Sequence, residues 1–153
     1  MKRRGFIKSF FSFFGILLIK PSSLLATTKA IRLGQKAPDF QLIGFNKKYP
    51  NKKEWSLNDF SGEWLILYFY PKDFSSGCTI QAKAFQDNLS KFKKLNSSVV
   101  GISADNEEEH ESFCTSAKLE YTLLSDTAGK ISKSYDSWLD PYSKRNTFMI
   151  NPK

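Results

Sequence analysis

Hydrophobic positions after residue 30 cluster in short, separated runs, and the strongest is Trp64–Tyr70, WLILYFY, which carries no charge. Such a run reads as a strand buried on both faces. Pro71 ends it, and Lys72–Ser76 is polar and turn-like. From Cys78 to Leu95 the period changes. Phe85, Leu89, Phe92 and Leu95 recur at helical spacing, with Lys and Gln on the other face, which predicts a helix. Ahead of this unit, Phe40–Phe45 predicts a short strand, Asn46–Lys53 an exposed hairpin or loop, and Trp55–Phe60 a second extended piece. Behind it, Ser98–Ser103 reads as a buried strand and Glu107–Leu119 as an amphipathic helix. The glutamates of that helix crowd its first turn, where the helix dipole favours them. Tyr121–Leu124 predicts a strand, Thr127–Tyr135 a short helix and Asn146–Ile150 a last strand. Strands alternating with helices predict an α/β layered domain with a mostly parallel central region. The sequence stops at Asn151-Pro152-Lys153, directly after that strand. A domain ending there would leave an apolar edge and one sheet face uncovered, so C-terminal truncation is expected.

Residues 1–30 follow a different pattern. Met1–Lys8 is basic, Ser9–Ile19 is an apolar run of 11 residues, and Lys20-Pro21 closes it. The run is too short to span a bilayer, which takes about 20 residues. It has the charged, apolar and polar regions of an export signal. Lys2-Arg3-Arg4-Gly5-Phe6-Ile7-Lys8 resembles the twin-arginine signal, with Arg3 and Arg4 as the receptor-read pair. The expectation is a leader over 1–30, cleaved near Ala26, and a single functional domain over 31–153. Retention of the leader as a membrane anchor is the alternative. Export would lead to a periplasm or a thylakoid lumen, with membrane contact only through the leader.

Charge changes the picture little once the leader is set apart. The chain is formally +8, but residues 1–30 hold six of the 23 basic side chains and none of the 15 acids. The body is therefore near neutral, and its charge gives no argument for a nucleic-acid partner. With 2 cysteines, Cys78 and Cys114, a disulfide framework is excluded; a single thiol pair or one reactive thiol remains.

The candidate chemistry lies at the junction of strand and helix. Cys78 falls in the first turn of a predicted helix that follows a buried strand. The thiolate is the nucleophile, and a helix N-terminus or a nearby cation favours it. Free backbone N–H groups of such a turn point toward the sulfur and toward an incoming substrate oxygen. Ser75 supplies a hydroxyl, and Gly77 permits close backbone approach. A buried inert cysteine beside a helix capped by Ser75 fits the spacing equally well. His110, the single histidine, has no second histidine for a metal site and reads as structural or solvent-exposed. Tyr68 and Tyr70 read as core and pocket-lining residues. Gly-rich phosphate loops and zinc spacings do not occur, and no cofactor is expected.

Pro71-x-x-x-Ser75-x-x-Cys78 resembles the Pro-x-x-x-Thr/Ser-x-x-Cys motif of peroxiredoxins. The wider run Tyr68-Phe-Tyr-Pro-Lys-Asp-Phe-Ser-Ser-Gly-Cys-Thr-Ile-Gln-Ala82 is similar to the peroxiredoxin Q (bacterioferritin comigratory protein) branch. Further segments agree in order: Gly34-x-x-Ala-Pro-Asp-Phe40, Gly101-Ile-Ser-x-Asp105 with His110 and Phe113, Leu123-Leu-Ser-Asp126 with Gly129 and Tyr135, and Arg145-x-Thr-Phe-x-Ile150. The resemblance covers about Gly34 to Ile150 and implies a thioredoxin-like fold, a central mixed sheet flanked by helices. It implies a peroxidatic Cys78, a peroxide-orienting Ser75, a shielding Pro71, and Arg145 as the fixed charge that holds the thiolate and polarises the peroxide. The implied substrate is hydrogen peroxide or an organic hydroperoxide. The implied reductant is thioredoxin or a similar dithiol, and the chain would act as a monomer.

Two positions depart from the branch. Ser75-Ser76 stands where many members have Thr-Pro, which keeps the hydroxyl but loses the methyl that restricts its rotamer. Lys83 stands where many carry a resolving cysteine. Another subset places that cysteine on the next helix, where this chain has Cys114, 36 residues after Cys78. The resemblance thus implies a Cys78–Cys114 disulfide, formed through local unfolding because the two thiols sit on different helices. Cys114 as an ordinary core residue, with an external thiol resolving Cys78, is the alternative. Rival activities fit less well. A disulfide oxidoreductase wants Cys-x-x-Cys, but the fourth position is Gln81; a copper carrier wants Cys-x-x-x-Cys, but the fifth is Ala82. A non-enzymatic binding or holdase module with a vestigial thiol is the reading outside enzymology.

Overall fold

The computed structural model describes residues 31 and 33–152. The export leader proposed above lies outside the described residues. The elements in chain order are β1 (Gln41–Phe45), β2 (Glu54–Ser56), a 3-10 turn (Leu57–Phe60), β3 (Trp64–Phe69), α1 (Ser76–Lys94), β4 (Ser97–Ser103), α2 (Glu107–Ala117), β5 (Thr122–Ser125), α3 (Lys130–Ser134), β6 (Trp138–Leu139), β7 (Tyr142–Ser143) and β8 (Asn146–Ile150).

Six strands form one sheet in the order β2-β1-β5-β4-β3-β8, and β6–β7 is a separate small hairpin. β3 pairs parallel with β4, and β4 with β5, each through a crossover helix. β1 and β8 run antiparallel to their neighbours, so the sheet is mixed around a parallel centre.

The unbroken apolar run of β3 has a direct cause. Ile66, Tyr68 and Tyr70 face one core, shared with Cys78, Ala82 and Leu89 of α1 and with Phe113, Cys114 and Ala117 of α2. Leu65, Leu67 and Phe69 face the opposite core, with Phe60, Ile102, Leu124, Ile131 and Tyr135. Alternate side chains of one strand thus enter two cores, and each buried apolar residue contributes about 1.5–3 kcal/mol. Gly101 on β4 is a packing requirement, because a Cβ there would lie 2.8 Å from the Tyr68 ring and 2.7 Å from Leu123.

A hydroxyl relay ties α1 to the sheet. Tyr121 Oη donates to the carbonyl of Ala82 at 3.1 Å. Its one hydrogen is then used, so Tyr68 Oη, 2.9 Å away, is the donor to Tyr121.

Several sequence expectations need correction. Trp55–Phe60 is not one extended piece: after β2 it tightens into the 3-10 turn, where Asp59 accepts from the N–H of Ser56 at 2.7 Å and its hydroxyl at 3.0 Å. Leu95 does not complete the buried stripe of α1. It is the C-cap residue and 69% exposed, because the helix has already ended at Lys94. The parallel centre within a mixed sheet is as expected, but the β6–β7 hairpin was not foreseen.

Candidate active site

The β3–α1 connection carries the chemistry. Cys78 is the third residue of α1 and is 1% exposed. Ser75 is the N-cap residue in extended conformation, yet its side chain makes no capping bond. Its Oγ instead donates to the Lys72 carbonyl at 3.1 Å. The first-turn amides of α1 therefore lack the side-chain acceptor that usually covers them, which leaves a helix N-terminus suited to an anionic oxygen. The capped-helix reading of Ser75 is not what forms.

Arg145 reaches this turn from the other end of the chain. Asn146 of β8 pairs with Phe69 at the end of β3, so Arg145 falls beside the point where α1 begins. Its Nη2 donates to Cys78 Sγ at 3.3 Å, and its Nη1 donates to Gln81 Oε1. A Cβ at Gly77 would sit 3.4 Å from Nη2, an ordinary van der Waals contact. Cation and helix N-terminus thus meet at one sulfur. Pro71 is half-buried just past the end of β3.

The loop before Ser75 is strained and firmly held. Phe74 has φ +59, a conformation rare for an aromatic residue, and the N–H of Ser75 bonds the Asp73 carbonyl at 2.8 Å around it. An i→i+2 bond closed over a positive φ is a γ-turn of the rare hand. Asp73, 3% exposed, accepts from Tyr70 Oη at 2.7 Å and from His110 Nδ1 at 2.8 Å. Its N–H donates to Asp105 Oδ2 at 2.8 Å, and that same oxygen accepts from Ser103 Oγ at 2.7 Å. Burial, with the Tyr68 phenol and the Asp73 charge beside it, holds the Tyr70 phenol well above its ordinary range, so it stays a donor. The exposed Phe74 ring meets Phe113 of α2 edge-on, 5.1 Å between centroids.

His110 is fully buried, so only the structural half of its sequence reading holds. Asp73, Asp105 and Ser103 were not recognised as partners. Cys114 is fully buried on α2, and both thiols are free. Desolvation, with the Asp73 charge second, pushes the Cys114 thiol up to about 12.

The AhpC/TSA family model matches residues 33–153, and the chain belongs to that family. Its thioredoxin-like fold is shared with solved members. The reduced 2-Cys peroxiredoxin of Plasmodium vivax superposes with TM-score 0.71 at 31% identity, covering 78% of each chain. Among curated relatives, the Bacillus subtilis (strain 168) peroxiredoxin Bcp is 37% identical over 108 residues, covering 71% of this chain and 66% of that protein. The chloroplastic peroxiredoxin Q of Arabidopsis thaliana is 46% identical over 105 residues, 69% of this chain and 46% of its own length. The mitochondrial thioredoxin-dependent peroxide reductase of Drosophila melanogaster is 37% identical over 136 residues, 83% of this chain and 57% of its own. The chain thus spans from about half to two thirds of these relatives' lengths.

Proposed function

We propose that this chain is a thiol peroxidase that reduces hydrogen peroxide and small organic hydroperoxides. The observation that carries the reading is the 3.3 Å contact of Arg145 Nη2 with Cys78 Sγ, at the first turn of α1. Cys78 thiolate attacks the terminal peroxide oxygen and an S–O bond forms as the O–O bond breaks. The departing oxygen takes a proton and leaves as water or alcohol, and Cys78 becomes a sulfenic acid. Arg145 and the first-turn amides stabilise the charge that moves from sulfur to the leaving oxygen. Ser75 Oγ orients the peroxide, and Pro71 shields the sulfur from solvent.

Cys114 then attacks the Cys78 sulfenic sulfur. Water leaves, and a Cys78–Cys114 disulfide forms. Its burial requires α2 and the first turn of α1 to open first. A dithiol of the thioredoxin class returns two electrons and two protons; the names of the relatives support both peroxide and dithiol as reactants. Residues 31–153 form the catalytic domain in this reading, and residues 1–30 direct export. Export leads to a periplasm or a thylakoid lumen, and the chloroplastic relatives support the organelle destination.

The test is peroxide consumption with a dithiol reductant by wild type and Cys78→Ser. Turnover in the wild type and none in the variant is expected. Equal rates would reject the peroxidase and leave the holdase reading.

A further inference from the structure

We propose that His110 is a positioning residue for the reaction at Cys78, acting through Asp73 on the turn that presents Ser75 and the first turn of α1. This inference rests on the peroxidase reading above.

The turn at Phe74 does not hold its shape alone. A positive φ at a bulky residue is strained, and it persists only where its surroundings over-determine it. Here the surroundings are unusually specific. Asp73, the residue before the strained one, is fixed at both its carboxylate and its amide. The carboxylate is divided between two partners: Oδ1 takes Tyr70, just past the end of β3, and Oδ2 takes His110 of α2. The amide is held by Asp105, whose carboxylate is held in turn by Ser103 at the end of β4. Three segments therefore converge on the residue two before Ser75, and the His110 bond spans 37 positions of chain.

His110 makes this contact at a cost that a packing role does not require. Its ring is fully buried, and Nε2 has no hydrogen-bond partner among the described residues. A phenylalanine or leucine would fill the same volume without burying an unpaired nitrogen. What the imidazole supplies is a hydrogen at Nδ1, directed at Asp73 Oδ2. Without it, a buried carboxylate oxygen loses a donor, and the loop can relieve its strain by relaxing the φ of Phe74. Ser75 would shift with it, while Cys78, within α1 and beside Arg145, would not. Loss of the His110 donor should therefore separate peroxide chemistry from simple thiol nucleophilicity.

The experiment compares wild type, His110→Phe and His110→Asn. Two rates are read for each: oxidation of Cys78 by hydrogen peroxide under single-turnover conditions, and alkylation of Cys78 by iodoacetamide in a Cys114→Ala background. The asparagine amide places a donor near the Nδ1 position. In His110→Phe the peroxide rate should fall by about tenfold or more, as expected for a misplaced reacting group, with alkylation within about threefold of wild type. His110→Asn should recover most of the peroxide rate. Wild-type peroxide kinetics in His110→Phe would overturn the proposal. So would parallel losses of both rates that His110→Asn does not rescue, which would mark a merely structural histidine. If His110→Phe fails to fold, Asp73→Asn is read in its place, with the same selective loss expected. A wild type that alkylates normally but does not react with peroxide would instead defeat the peroxidase reading itself.

Discussion

Arg145 and Cys78 lie 67 residues apart in sequence, and the guanidinium Nη2 rests 3.3 Å from the thiol sulfur. The antiparallel register of β8 on β3 brings them together, placing the residue before Asn146 at the mouth of α1. Removing this cation should slow peroxide oxidation of Cys78 by about 10²–10³-fold, the effect of losing one preorganised donor. Arg145→Lys should recover only part of the rate, because a single ammonium cannot bond Cys78 and Gln81 through separate nitrogens of one rigid fork. Stopped-flow oxidation of Arg145→Ala and Arg145→Lys measures both. An Arg145→Ala rate equal to wild type would remove Arg145 from the site.

Ser75 offers a sharper comparison. Its Oγ bonds the Lys72 carbonyl, so the hydroxyl serves the loop as well as any peroxide. Ser75→Thr keeps the hydroxyl and narrows its rotamers, and should match or exceed the wild-type peroxide rate. Ser75→Ala should lose about tenfold or more, on the scale of one lost charge-assisted hydrogen bond. Steady-state kinetics over a peroxide series separate the two, and a full-rate Ser75→Ala would contradict the orienting role.

Cys114 should be invisible to iodoacetamide in the native protein and reactive once the protein is unfolded. Its linkage to stability runs in one direction. The folded thiol titrates at about 12 and an unfolded cysteine near 9, so between these values the folded state holds the extra proton. The contribution is whole below pH 9 and declines as pH rises toward 12, at about 1.4 kcal/mol per pH unit. Urea unfolding of wild type and Cys114→Ala between pH 8 and about 11 should show the shallower decline in the variant. Parallel curves would mean that Cys114 does not contribute.

Gly101→Ala tests the packing of β4 on β3. The added methyl meets the Tyr68 ring and Leu123 at under 3 Å. Over-packing of this kind costs about 1–3 kcal/mol, and each kcal/mol lowers the Tm by several degrees in a domain of this size. Thermal unfolding by circular dichroism measures it; an unchanged Tm would show that the Tyr68 ring moves aside.

What could be read from the sequence followed the range of the forces involved. β3 was plain because both of its faces are covered, which leaves no polar alternation to confuse the pattern. α2 was plain because its glutamates crowd the first turn of an amphipathic stretch; the structure adds a local capping box of Asn106 and Glu109 there. The partnership of Arg145 with Cys78 came only through the family resemblance, since a strand register spanning the molecule leaves no local trace. β6 and β7, two residues each, are too short to display a period of two. His110 was ambiguous for a related reason. Its neighbours Glu107, Glu108, Glu109 and Glu111 suit a solvated face, while its partner Asp73 is remote. One signal was available: 110, 113, 114 and 117 follow the i, i+3, i+4, i+7 spacing of a buried stripe, and all four are buried. Hydrophobicity ranking hides that stripe, because its first member is a histidine.

The tyrosine relay sets a limit on how far α1 can fray. Tyr121 grips the helix at the Ala82 carbonyl, one turn past Cys78, and is itself held by Tyr68 on β3. Opening at the mouth of α1 can thus unwind residues 76–81 without lifting the helix from the sheet. Amide exchange along α1 should step down sharply at this anchor, and Tyr121→Phe should carry the boundary toward the C-terminus. The swing of Cys78 toward another thiol would then be a tethered motion, its radius fixed by an anchored carbonyl four residues away.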